Sequence, residues 1–458
     1  MTNQTPAAEG HNLRVALVSL GCDKNLMDSE VMLGLLQEAG YGLTADQSQA
    51  DILILNTCGF IADAVSESYQ TARELASYKK SGRCKALIIT GCMAQRYRDE
   101  ILVKIPEADG VLGTGDYEGI LVAIEGALAG RKTVFVSDIN KDISEEARHK
   151  RVISTPGHFA YIKIAEGCDN HCTYCTIPSL RGRYRSRPKE SLLAEAEALA
   201  RQGVRELVVV AQDTSLYGTE LYGQNSIHEL LHSFSCIEGI EWIRLLYCYP
   251  EHITDALIDE MARNPKICHY VDMPIQHAAD AILKRMGRRS RQAQIRDVIR
   301  RLRERMPDIT LRTTLITGFP GETEEHFTDL LQFVRDIRFD RLGVFAYSKE
   351  EGTPAAAMPG QVPDKLKNRR RDRLMGEQQG ISAEKNAEKA GKVYQILVEG
   401  RLPDDPGTYF GRTAMDCPEA DGLVFFPAGV HVKPGQFVPV RIVDATAYDL
   451  MGEIADEA

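Results

Sequence analysis

Apolar and polar positions fall in blocks along most of the chain, and the blocks repeat one order. A short continuous apolar run is followed by a glycine-bearing turn, then by a stretch with apolar residues three and four apart. The run RVALVSLG starting at Arg14 ends in such a turn, and positions 31, 32, 35 and 36 then mark a helix over 27–38. Further apolar runs lie at 51–56 and 86–90, with shorter ones at 111–113 and 133–136. Strands alternating with helices predict a parallel α/β sheet.

A polar, charged stretch over 138–158 ends in Thr155-Pro-Gly and reads as a linker. The strand–helix order resumes at Phe159. Strands are expected at 160–165, 206–212, 241–247, 270–273, 310–316 and 343–346, with helices between them, including 191–202 and 290–305. Six such units suit an open, partial (β/α)6 barrel better than the closed eightfold form. A basic helical run at 365–373 leads into apolar runs at 394–398, 423–426 and 438–443, broken by glycine and proline turns. These predict a small all-β barrel. The expected organisation is a leader over 1–12, an α/β domain over 13–137, a linker over 138–158, a barrel over 159–391 and a β module over 392–458.

Composition narrows the function. No run approaches the roughly 18 apolar residues a membrane span needs. Residues 1–12 lack the basic and apolar segments of a signal peptide, so the expected location is cytoplasmic. Eleven cysteines in a chain read this way favour metal or redox chemistry over a disulfide framework. The net charge of −10 is uneven: −6 over 1–150, +3 over 151–392 and −7 over 393–458. An acidic terminal module repels phosphate backbones and attracts basic partners.

Two cysteine sets carry the chemistry. Cys168, Cys172 and Cys175 are spaced by three and then two residues, just after the first expected barrel strand. Three thiolates can hold three irons of a 4Fe–4S cluster and leave the fourth open to a small molecule. A Cys3His zinc site completed by His171 is the alternative. Cys22, Cys58 and Cys92 each stand beside a glycine where an apolar run ends. In open parallel sheets ligands gather at such strand ends. The second set could therefore converge on a metal, the bland reading being three small buried hydrophobes. Cys84 precedes its strand and is left out. Gln212 and Asp213 at the second barrel strand end, Arg312, Gly318, Gly321 and Glu322 are weighed as cofactor contacts. A structural ion pair for Arg312 and a plain tight turn for the glycines are the competing readings. Arginines 181, 183, 185 and 187 would meet an acidic substrate or form a solvated face. His277 reads as a satisfied polar residue.

The Cys-x3-Cys-x2-Cys triplet with Tyr174 before its last cysteine resembles the signature of radical S-adenosylmethionine enzymes. Thr176-Ile-Pro-Ser-x-Arg-Gly-Arg-x-Arg-Ser-Arg and Gly318-Phe-Pro-Gly-Glu-Thr resemble the methylthiotransferase branch. So do Gly21-Cys22-x-Lys-Asn, Asn56-Thr-Cys58 and Thr90-Gly-Cys92. The resemblance spans the chain from about Leu13 to its end. It implies two 4Fe–4S clusters, the triplet's binding and cleaving S-adenosylmethionine and the one on Cys22, Cys58 and Cys92 handling the sulfur. The terminal module resembles a TRAM domain.

Known targets of that branch are a tRNA adenosine or an aspartate of a ribosomal protein. The −7 module repels RNA and suits a basic protein, and the opening Val-Ser-Leu-Gly-Cys-Asp-Lys-Asn and the segment Val-Ala-Gln-Asp-Thr-Ser-x-Tyr-Gly resemble the ribosomal-protein (RimO) class. The expected activity is methylthiolation at C3 of an aspartate in the twelfth small-subunit ribosomal protein, by a monomer whose electron donor and sulfur source are unidentified. tRNA adenosine methylthiolation is the alternative. A non-catalytic iron–sulfur carrier is a third reading, disfavoured because a carrier needs no site for S-adenosylmethionine.

Overall fold

The computed structural model describes residues 13–143, 150–428 and 432–455. The leader expected over 1–12 lies outside them, as does the 144–149 part of the expected linker. The chain forms two compact units. One comprises the chain up to Ser154 with Glu166–Asp169 and Cys175–Arg185; the other comprises Thr155–Ala165, Asn170–Tyr174 and everything from Ser186.

In the first unit six strands form one parallel sheet: β1 (Arg14–Ser19), β2 (Gly42–Leu43), β3 (Ile52–Thr57), β4 (Ala86–Gly91), β5 (Gly110–Leu112) and β6 (Thr133–Phe135). Their spatial order is β2-β1-β3-β4-β5-β6. The runs are apolar throughout because both faces are covered. Ile52, Ile54 and Ile88 pack with Val31, Met32 and Leu36 on one side. Leu53, Leu55, Leu87 and Ile89 pack with Tyr69, Ala72 and Leu75 on the other.

In the second unit β7 (Phe159–Lys163) opens a second sheet. The two-residue strands β8 (Ala165–Glu166) and β9 (Arg185–Ser186) flank the cysteine segment in sequence. The sheet continues with β10 (Glu206–Val210), β11 (Trp242–Leu245), β12 (Ile267–Asp272), β13 (Thr310–Thr317) and β14 (Arg341–Ala346). Its order is sequential, β7-β10-β11-β12-β13-β14, and every pair is parallel. This is the open six-stranded arrangement expected. The basic run lies within the helix Asp364–Ala387, where Lys367 and Arg370 are buried.

The terminal module is a closed five-stranded barrel of β15 (Val393–Arg401), β16 (Thr408–Arg412), β17 (Val424–Pro427), β18 (Phe437–Ala445) and β19 (Leu450–Ile454). The pattern of apolar runs misses β16 and β19, since Gly411 and Gly452 interrupt them. A side chain at Gly452 would strike Val440, so the barrel's closure requires the very residue that weakens the strand pattern.

The module is held to the six-stranded barrel by buried charge. Glu206 on β10 is fully buried between Arg244 (Nε–Oε1 2.7 Å) and Arg412 (Nη2–Oε2 2.7 Å). Arg244 also donates to the Ala414 carbonyl, and the Tyr270 hydroxyl donates to Asp421. Arg341 meets Asp416 at 2.6 Å, and Arg412 meets Glu399 at 2.6 Å. Part of the −7 is therefore internal. Glu399, Asp416 and Asp421 are neutralised inside the fold, so the module's surface is less acidic than its sum.

Candidate metal centres

Cys22 caps the helix Asp23–Glu38 just after β1, Cys58 follows β3 directly, and Cys92 begins the helix Cys92–Tyr97 just after β4. The three strands are neighbours, with Ser19 opposite Asn56 and Asn56 opposite Thr90. Their cysteines therefore leave the sheet side by side. The adjoining glycines make the crowding possible. A Cβ on Gly21 would lie 3.1 Å from Cys58 Cβ, and one on Gly59 would lie 2.7 Å from the Cys92 carbonyl carbon. Gly21 also holds φ +96°, a conformation that favours glycine.

Asparagines and serines fix the loops. Asn25 donates to the carbonyls of Leu20 (3.0 Å) and Thr57 (2.9 Å), and Asn56 donates to the Asn25 carbonyl (2.7 Å). Ser68 donates to the Cys58 carbonyl at 2.9 Å. Burial pushes the Cys92 thiol up to about 12, against the pull of Arg181, and raises Cys58 as well. A buried thiol of this kind loses its proton when a cation arrives to replace it. Three cysteines at neighbouring strand ends thus offer the soft donors that a thiophilic metal group takes.

The triplet lies in a clamped loop. Gly167, at φ +81°, sits so close to the backbone at Gly182 and Arg183 that no side chain fits, and the Cys168 amide donates to the Gly182 carbonyl at 3.0 Å. Cys175 Sγ accepts from the Ile177 amide at 3.4 Å. In the second unit Cys172 Sγ has the Tyr249 hydroxyl and Arg288 Nη1 each at 4.0 Å. Cys168 and Cys172 are buried, whereas His171 is exposed. Among the described residues no three His, Cys, Asp or Glu side chains are gathered as one ion would require. A four-iron cube spreads its thiolates wider than a single ion does.

The weighed cofactor contacts fare differently. Gln212 lies past the end of β10, half-buried, beside fully buried Asp213. Asp213 accepts from Asn170 (3.0 Å), two residues after Cys168, and faces His252 Nδ1 at 2.9 Å. Arg312 makes ion pairs with Asp272 (2.9 Å) and Asp421 (3.5 Å). Gly318 and Gly321 are glycines because protein neighbours crowd them: Lys367 stands against the first and Arg285, at 2.9 Å from a built Cβ, against the second. Glu322 is buried, pairs with Arg370 at 2.8 Å and accepts from the Gly318 amide at 2.8 Å. All four thus have protein partners in this structure. His277, fully buried, accepts from the Ala279 amide. Arg181 and Arg187 are buried in ion pairs with Asp28 and Glu195, so they form no solvated basic face. Tyr249 and Arg288 carry no motif in the sequence, and packing alone brings them to Cys172.

Three family models match in succession: uncharacterized protein family UPF0004 over 14–113, the radical SAM superfamily over 162–334, and the TRAM domain over 390–455. Among solved structures, the radical S-adenosylmethionine methyltransferase TsrM from Kitasatospora setae shares the fold. Its TM-score is 0.56 at 16% identity, covering 75% of this chain and 76% of that one. The class of the fold is thus radical SAM. A Lachnoclostridium phytofermentans protein named ribosomal protein uS12 methylthiotransferase RimO is 51% identical over 96% of this chain and 99% of its own. The protein of the same name from Desulforamulus reducens is 50% identical over 96% and 99%. The chain belongs to the RimO family of uS12 methylthiotransferases.

Proposed function

We propose that the chain inserts a methylthio group at C3 of an aspartate in ribosomal protein uS12, by a radical S-adenosylmethionine mechanism with two 4Fe–4S clusters. The observation that supports this most is near-full-length identity of about half to uS12 methylthiotransferases. The radical SAM barrel adds to it, since an iron–sulfur carrier needs no site for S-adenosylmethionine. Cys168, Cys172 and Cys175 would hold one cluster, and Cys22, Cys58 and Cys92 the other. When bound, the clusters and S-adenosylmethionine supply hydrogen-atom abstraction from an unactivated carbon and a place to handle sulfur.

The chain's own residues orient and enclose these groups. The Gly167 clamp holds the triplet loop against one backbone segment. Tyr249 and Arg288 cover Cys172, excluding water from its sulfur. Gln212, beside the buried Asp213–Asn170 pair, would meet the cofactor. Residues 13–137 serve as the sulfur-handling domain, 159–391 as the radical-generating barrel and 392–458 as the substrate-side module. The enzyme acts in the cytoplasm, as a monomer, on a basic ribosomal protein.

Anaerobic reconstitution is expected to yield about eight irons per chain, two four-iron clusters; about four would sink the two-cluster reading. Mass spectrometry of uS12 and of tRNA from cells lacking the gene decides the substrate. Loss of the uS12 mass increment with tRNA unchanged is expected, and the reverse pattern would refute the assignment.

A further inference from the structure

Arg181 follows the triplet by six residues, yet its side chain is buried in the first unit, 3% exposed. The guanidinium uses two edges. Nη1 meets Asp28 at 2.7 Å and Glu166 at 3.2 Å. Nη2 donates to Asn25 Oδ1 and reaches Cys92 Sγ at 3.7 Å. Asn25 Oδ1 itself lies 3.6 Å from that sulfur, and its amide nitrogen is bound to the Leu20 and Thr57 carbonyls. As a thiol, Cys92 donates to Asn25. As a thiolate it has no proton to give, and the donor facing it is Arg181. Glu166, on the other edge, stands two residues before Cys168.

An arginine bridging two carboxylates could be purely structural. Its second edge reaches past both carboxylates, to Asn25 Oδ1 and to the Cys92 sulfur. Hydrogen bonds and charge beside a ligand sulfur set the reduction potential of an iron–sulfur cluster. We propose that Arg181 is a positioning residue that binds the Cys92 thiolate and raises the potential of the cluster on Cys22, Cys58 and Cys92. Through Glu166 it ties that setting to the loop of the triplet. The inference rests on the two-cluster reading above.

The test uses the full chain with Cys168, Cys172 and Cys175 all changed to Ala, which leaves one cysteine set. About four irons on this parent supports the two-cluster reading; none would sink that reading rather than the role of Arg181. In an EPR-monitored redox titration, Arg181→Met is expected to lower the ratio of reduced to oxidised cluster at least tenfold at fixed potential, about 59 mV for one electron. Arg181→Lys, which keeps the charge, is expected to recover most of it. A ratio within twofold of the parent, with iron content intact, would overturn the proposal. Because Arg181→Met strands two buried carboxylates, a measurement without substitution at 181 stands beside it. With 15N-guanidino arginine in the parent, pulsed EPR is expected to show nitrogen coupling to the reduced cluster, and its absence overturns the proposal equally.

Discussion

Changing Cys168, Cys172 or Cys175 to Ala is expected to abolish uS12 methylthiolation while about four irons stay on the protein. The restraints on one cysteine set do not run through the other's thiols, so losing one set leaves the other's ligands in place. Cys22, Cys58 and Cys92 are held by the register of three adjacent strands and by Asn25 and Asn56. None of those restraints passes through the triplet cysteines. A cluster reduced to two thiolates loses its hold, and with it the open iron that binds S-adenosylmethionine. Replacing outer partners is milder: Arg288→Met, which uncovers the Cys172 sulfur, is expected to cost about 10–100-fold in activity. Cys236→Ala, at an exposed thiol outside both sets, serves as the control and should retain full activity. Iron analysis beside an endpoint assay of modified uS12 separates the outcomes. Full activity in any triplet variant, or loss of all iron, would contradict the assignment.

The cysteine positions were legible because each rests on a local pattern. A continuous apolar run fixes a strand, and the glycine at its end fixes where the next residue emerges, so Cys22, Cys58 and Cys92 could be placed without knowing the fold. Arg181 could not be assigned in that way. Its partner Asp28 lies 153 positions away, and nothing near Arg181 distinguishes it from Arg183 or Arg185. Gly318-Phe-Pro-Gly-Glu322 illustrates the opposite problem. A glycine turn that admits a cofactor and one that admits a helix look the same in sequence; here Lys367 of the helix Asp364–Ala387 stands against Gly318, and Arg370 pairs with Glu322. Summed charge misled for a related reason. It counts Asp416 and Asp421 as surface acids, although both point into the six-stranded barrel's cations.

Those buried acids set up the second large effect. Glu206→Gln is expected to destabilise the second unit by about 3–5 kcal/mol, because it leaves Arg244 and Arg412 buried without their shared counter-charge. At about 2–4 °C per kcal/mol for a unit of this size, the midpoint of thermal unfolding should fall by about 10 °C. Trp242, the chain's single tryptophan, packs edge-on against Phe437 of the terminal barrel at 4.8 Å. Its fluorescence therefore reports whether the module stays docked. The pH dependence follows from the direction of the Glu206 shift. Burial alone would raise this carboxyl, but Arg412 and Arg244 outweigh it and hold it below its ordinary value. A carboxylate depressed in the folded state contributes its stability above the unfolded pKa, about 4.3, and loses it as pH falls through the folded value. The gap between the parent and Glu206→Gln should therefore be full at neutral pH and close on acidification, once Glu206 is itself protonated. Glu206→Leu, Arg244→Met and Arg412→Met together remove the stranded guanidinium charges, leave Glu399 with His158 as its neighbour, and should recover much of the loss. If the triple variant melts lower than Glu206→Gln alone, the charges themselves stabilise the junction, and the account of Glu206 as a counter-ion that is costly chiefly to remove alone would be wrong.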